Sequence, residues 1–185
     1  VGDITANILD FAGWDVQREY YVNDAGLQMN ILGASVQSRY FELLGQAEKA
    51  PFPEPSYKGH YIYDIAQEVI DAHGKEFLEQ PLEESLPFFK EYASTRILND
   101  IKEDLKRFGV VFDNYYSEKS LYTRGLVASA NQHLKDRGHL YEQEGAVWFR
   151  STAYGDDKDR VLTRSNGVPT YFDSDIAYHK DKFDR

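Results

Sequence analysis

The chain has 185 residues, a formal net charge of −10 and no cysteine; 42% of its residues are hydrophobic and 15% aromatic. That length is about one domain, and that apolar share is enough for a core, which excludes global disorder. Composition also excludes disulfides and thiolate metal sites, the lack of a long apolar run excludes a membrane-spanning helix, and an acidic balance without a basic run argues against a self-contained grip on phosphate backbones.

The pattern opens with a helix. Residues 3–12 (DITANILDFA) put Ile4, Ile8 and Phe11 on one face, with Gly13 as the stop. Because the chain starts at Val1 inside this pattern and ends right after KDKFDR, we expect a piece of a longer protein. WDVQREYYV (14–22) is aromatic and β-branched and reads as a strand, and NDAG (23–26) as a turn. A helix runs from Leu27 to Leu44 and stops at Gly45; its apolar positions include Ile31, Leu32, Tyr40 and Leu43. Helix, strand and helix with tight joints are what an open α/β sheet needs.

The three prolines of KAPFPEPSYKG (49–59) mark a loop or boundary. YIYDIAQEVIDAHG (61–74) reads as a helix closed by Gly74. A long helix follows from Glu83 to Phe108, where Phe89, Ala93, Ile97, Ile101, Leu105 and Phe108 form a stripe expected to be buried. Pro87 fits only near a helix start, so the true start is expected later than Glu83. VVFDNYY (110–116) reads as a strand and 124–137 as a helix closed by Gly138. HLYEQEGAVWF (139–149) is a hairpin pattern, and RVLTRSNGVPTYF (160–172) repeats it about Asn166-Gly167.

Three stretches invite a chemical reading. In PTYFDSDIAYHKDKF (169–183), Pro169–Phe172 reads as extended, with Asp173, Ser174 or Asp175 capping a helix from Ile176. A carboxylate is electrostatically favoured at a helix N-terminus, and it accepts from cations. The Tyr171 ring can cover a planar cation, or its hydroxyl can accept a hydrogen bond; alternatively Asp175 only caps and Tyr171 only packs. REYYVNDAGLQ (18–28) is a strand-turn-helix joint, with Asp24 and Gly26 where backbone can approach a ligand, but it is neither a dinucleotide fingerprint nor a P-loop. The run Asp156, Asp157, Lys158, Asp159, Arg160 alternates in sign, as solvated faces do. His60, His73, His133, His139 and His179 lack paired ligand spacing, so no metal site is expected.

REYYVNDAGLQ and GAVWFRSTAYGDDKDRVLTRSNGVPTYFDSDIAYHKDKF, at their spacing, closely resemble bacterial arginyl-tRNA synthetases, and the likeness runs over essentially the whole chain. The resemblance implies an α/β fold: a partial Rossmann-type class I synthetase catalytic core with helical and β-hairpin insertions. Residues 1–50, 88–121 and 170–185 would belong to the core, and 51–87 and 122–169 would be insertions. The family's HIGH signature would precede Val1 and its KMSKS-type loop would follow Arg185, so no catalytic residue is expected within this chain. The implied reaction joins arginine to ATP, with Mg2+, as arginyl-adenylate and passes the arginyl group to tRNA(Arg).

In the family a Tyr and an Asp spaced Y-x-x-x-D recognise the substrate side chain, and Tyr171 and Asp175 match that spacing. A carboxylate can take the planar guanidinium in two parallel bonds, and lysine lacks that fork. Asp173 is expected to cap or face solvent. Asp24, Gly26 and Gln28 match the family's D-x-G-x-Q turn near the active site. The run at 156–160 matches a family block, and a structural pairing of Asp157 with Arg160 is expected. A chain without cysteine, a secretion-type start or an apolar span reads as cytoplasmic with no membrane partner, its acidic balance implies a weak hold on tRNA, and this stretch alone is expected to be inactive. The competing reading is a standalone non-catalytic paralogue acting as a binding or regulatory domain.

Overall fold

Ile4, Ile8 and Phe11 do share one face of a helix, α1 (Gly2–Phe11), but that face is open to solvent, and no residue of α1 is buried. A computed structural model describes residues 1–185. The chain divides into two units, Val1–Glu19 with Asp24–Asn114, and Tyr20–Asn23 with Tyr115–Arg185. No helix is long and apolar enough to cross a membrane.

In the first unit α1 is held by polar contacts instead of burial. Arg18 donates from Nη2 to Asn7 Oδ1 at 2.6 Å and lies 3.5 Å from Asp3, while its backbone N–H reaches Asp113 Oδ2 at 2.7 Å. The core lies among α2 (Leu27–Leu43), α3 (Tyr61–His73) and α4 (Leu82–Arg107). Its buried members include Val36, Tyr40, Phe41, Ile62, Val69, Phe77 and Phe89. Gly33 marks the crossing of α2 with α4, since a Cβ there would lie 2.9 Å from the Lys90 backbone nitrogen. At the end of α2, Gly45 takes the positive φ of 74° that the chain reversal demands.

Helix α4 departs from expectation twice. It begins at Leu82, with Pro87 inside it. The lost N–H bond is tolerated because tertiary contacts hold the first turns: Gln37 Nε2 donates to the Leu82 carbonyl at 3.0 Å and to Ser85 Oγ at 2.8 Å, and Ser85 is buried. The expected apolar stripe is only partly covered. Phe89 and Ala93 are buried, Ile97, Ile101 and Leu105 are half-buried, and Phe108 is 85% exposed. Both expected strands are also shorter than their sequence patterns. Only β1 (Glu19–Val22) and β2 (Asn114–Ser117) pair, as a two-stranded sheet. Glu19 meets Asn114, Tyr20 meets Tyr115 and Tyr21 meets Tyr116, so partners advance together and the pair is parallel.

The second unit contains a helix that the sequence pattern did not suggest, α5 (Glu118–Thr123), capped by Ser117, whose Oγ accepts from the Ser120 N–H at 3.3 Å. Left-handed Gly125 separates α5 from α6 (Leu126–Asp136), which fills most of the expected 124–137 helix. Strands β3 (Leu140–Gln143) and β4 (Ala146–Phe149) form the expected hairpin, turning through Glu144 and Gly145. Strand β5 (Arg160–Thr163) adds antiparallel to β4 with a register shift at Val147/Trp148. The second expected hairpin shrinks to one bridge between Thr163 and Pro169, after which α7 (Tyr171–Asp184) begins. Tyr116, Leu121, Val127, Ala130 and Ala177 form this unit's core, with Tyr21 and Tyr178 packed on it.

Candidate functional site

The chain enters α7 tied to β5. The Thr170 N–H donates to the Leu162 carbonyl at 2.8 Å, and its hydroxyl donates to the Val161 carbonyl at 2.7 Å. With that hydroxyl engaged, Thr170 is the N-cap residue without a side-chain cap, and the helix starts at Tyr171. This corrects the expectation of extended backbone to Phe172 with a cap at 173–175. Anchoring to β5, rather than a capping carboxylate, sets where the helix begins.

The earlier start changes which side chains are neighbours. Tyr171 and Asp175 stand four residues apart on one helix, so they share a face with Cβ atoms about 5–6 Å apart. Both are exposed, Tyr171 by 67%. Asp173 and Ser174 point inward instead. Asp173 is 3% exposed and accepts from Asn131 Nδ2 at 2.8 Å. Burial pushes its carboxyl above the ordinary aspartate value, and the Asn131 bond opposes that shift. The expected capping or solvent-facing role for Asp173 is therefore wrong: a helix begun at Tyr171 rotates position 173 towards α6.

Around this turn the second unit gathers acids and phenols. The Tyr21 hydroxyl is buried and has no partner in hydrogen-bonding geometry. Burial, then the Glu118 charge, push this phenol well above the ordinary tyrosine value; the Ser174 hydroxyl opposes the shift and the Asp175 charge adds to it. Tyr122 is raised for the same reasons, burial first and Glu118 next, with a contribution from Asp173. Glu118 is itself buried. The charges that bear on the two phenols are thus carboxylates, and both phenols stay protonated at neutral pH. Chemically, this corner offers carboxylate acceptors and neutral hydroxyl groups, a set suited to a cation.

Sequence reasoning missed Glu118, Tyr122 and Asn131. The available signal was Ser117 followed three residues later by Ser120, a capping pattern placed at the end of a strand-like run.

Asp24, Gly26 and Gln28 belong to the first unit. Gly26 precedes α2 with φ 82° and ψ −171°, a conformation open to glycine, and no atom would meet a Cβ there, so backbone conformation and not crowding selects glycine. Gln28 is exposed and Asp24 half-buried.

The charged run at 156–160 is a locked loop. Arg160 reaches Asp157 at 3.0 Å, as expected, and also grips Asp156 with two bonds of 2.7 and 2.6 Å. Asp159 accepts from the Thr152 N–H and hydroxyl and from Tyr141 Oη, at 3.0, 2.7 and 2.9 Å. These bonds hold the Asp159 carboxyl below its ordinary value, the Thr152 backbone contributing most.

The model of the catalytic domain of class I (R) tRNA synthetases matches residues 1–185. An arginine–tRNA ligase of Geobacter sp. (strain M21) is 55% identical over 184 residues, covering 100% of this chain and 33% of the relative. That of Bacillus subtilis (strain 168) is 50% identical over 185 residues, again 100% of this chain and 33% of the relative. The chain thus spans about a third of the length of these curated relatives. Among solved structures, a Campylobacter jejuni protein assigned as an arginyl tRNA synthetase superposes with a TM-score of 0.85 at 39% identity, covering 100% of this chain and 40% of that one. The Thermus thermophilus arginyl-tRNA synthetase superposes with a TM-score of 0.62 at 25% identity, over 96% of this chain and 31% of that one. Matched along its whole length, this α/β chain belongs to the class I (R) tRNA synthetase catalytic-domain family.

Proposed function

We propose that this chain is the part of an arginine–tRNA ligase that seats the amino acid. The observation that carries the reading is the pairing of Tyr171 with Asp175 on one exposed helix face beside carboxylate-biased phenols. The Asp175 carboxylate takes the guanidinium of arginine through paired charge-assisted bonds, while Tyr171 covers its plane or accepts from its edge. Buried Glu118, whose charge bears on Tyr21 as that of Asp175 does, adds negative potential to this unit's corner. ATP, with Mg2+, and tRNA(Arg) are the other substrates of the whole ligase, which forms arginyl-adenylate and transfers the arginyl group to the tRNA. This stretch supplies the side-chain seat, and it lacks the HIGH and KMSKS signatures that hold the phosphates, so by itself it does not exchange pyrophosphate. The turn of Asp24, Gly26 and Gln28 lies near the bound substrates in the same reading. Residues 1–50, 88–121 and 170–185 serve as catalytic core, and 51–87 and 122–169 as insertions; the pairing of β1 with β2 supports joining the first two core segments. A cytoplasmic location belongs to the same reading.

The test is Asp175→Asn in a ligase carrying this stretch. A charge-assisted bond of about 1.5–3 kcal/mol corresponds to roughly a 10- to 150-fold rise in the arginine KM. The KM for ATP should be unchanged and the preference for arginine over lysine reduced. An unaltered arginine KM with unaltered preference refutes the seat.

A further inference from the structure

The α4 stripe continues past the part that α2 and α3 cover, and a groove of about 420 Å3 opens where that cover ends. Its floor is apolar: Leu32 from α2, Ile65 from α3, and Ile97 and Ile101 one turn apart on α4. Leu32 and Ile65 close the bottom, while the two α4 isoleucines remain half-buried.

The rim is acidic. Asp64 and Glu68 stand on α3, and Asp100 and Asp104 face them from α4. The cation of the lining is Arg96, which spends its guanidinium on Glu68, at 3.1 and 3.0 Å, and on Asp100. Asp64 has exposed His60 at 3.4 Å, and Asp104 has largely exposed Arg107 at 3.6 Å. Such solvated contacts contribute little and are released at small cost. The groove therefore joins an apolar floor to surplus negative charge at both walls.

We propose that this groove docks a basic amphipathic helix of a partner protein, with Leu- or Ile-type residues at helical spacing on the floor and Lys or Arg reaching the carboxylates on both sides. Helix-in-groove recognition uses apolar anchors at this spacing. Complementary charge fixes the orientation and speeds the encounter, and it disfavours acidic helices. The proposal is independent of the arginine seat.

The experiment uses a whole ligase carrying this stretch and a fluorescein-labelled synthetic helix of Leu and Lys with a helical repeat, read by anisotropy at low and physiological salt. A Leu/Glu helix and a Ser/Lys peptide of equal charge serve as probes of the two components. A chain of net charge −10 attracts any cation, so variants must localise the binding. Ile101→Ser should weaken the Leu/Lys helix by about tenfold, as loss of a buried anchor does. Asp64→Asn with Asp104→Asn should weaken it to a similar degree, while Asp10→Asn with Asp15→Asn, an equal charge change at exposed residues that do not line the groove, should leave it unchanged. Amide exchange at Ile97 and Ile101 should slow on binding. The proposal is overturned if the Ser/Lys peptide binds as tightly as the Leu/Lys helix, if the Leu/Glu helix matches it, or if both Asn pairs act alike. Self-association of the chain through Ile101, seen by sedimentation, would also overturn it by giving the groove to a second copy.

Discussion

Tyr40→Phe isolates the polar content of the first unit's core. Tyr40 is fully buried, edge-on or tilted to Phe41, Phe77 and Phe89 at centroid distances of 5.6, 5.8 and 5.2 Å. Its hydroxyl donates to the Gly74 carbonyl at 2.9 Å and accepts from the Phe77 N–H at 3.3 Å. Phenylalanine keeps the ring and opens almost no cavity, so the packing term is small. The Gly74 carbonyl can turn to water because Gly74 is exposed. The Phe77 N–H cannot, because Phe77 is buried. One lost bond costs about 0.5–1.5 kcal/mol and one orphaned buried donor about 1–3 kcal/mol, for a total near 2–4 kcal/mol. In a chain of 185 residues, that lowers Tm by roughly 4–16 °C. Urea unfolding should show a lower midpoint at unchanged slope, with faster amide exchange at Phe77. Tyr63→Phe is the control: its hydroxyl donates to exposed Glu42 at 3.1 Å, and its loss should stay within about 0.5 kcal/mol. If Tyr40→Phe also stayed within that range, the claim that these two bonds hold the α2 end of the core to the 74–77 turn would be wrong.

Gly33→Val should destabilise through the α2–α4 crossing, because a Cβ falls 2.9–3.0 Å from Lys90 backbone and Cβ atoms. Overpacking of this kind costs about 1–3 kcal/mol, and calorimetry showing no loss would mean the helices part freely. Asp173→Asn tests the buried carboxyl by its pH dependence. Its folded value is raised, so the stability it contributes is complete below the ordinary aspartate value and is lost as pH rises through the folded value. The Asn variant should therefore gain on the native chain as pH climbs from about 4 and hold that advantage at neutrality; parallel stability–pH curves would refute the burial argument.

Helix identity was legible where apolar spacing and a stop residue agreed. Ile62, Ile65, Ala66 and Val69 fall inside as their spacing requires, and α3 stops at Gly74. Helix α5 was not legible because one and a half turns are too few for a period to emerge, and Leu121 becomes a core residue only through its neighbours. The pair Tyr171 and Asp175 was legible as a motif through family likeness, but its geometry was misread. A Thr–Asp–Ser–Asp neighbourhood offers several plausible caps, and local preference among them is worth about a kilocalorie.

The amino-acid order alone carried the family likeness, most of the helices and strands with their turns, and the Tyr171/Asp175 spacing on which the proposed seat rests, since these depend on short-range pattern. Tertiary structure decided how far each apolar stripe is covered, why Leu82 can begin a helix that contains Pro87, and why α7 starts at Tyr171 with Asp173 turned inward. Burial depends on which distant element arrives to exclude water. Bonds such as Gln37 to Leu82 and Asn131 to Asp173 join residues that no local pattern connects.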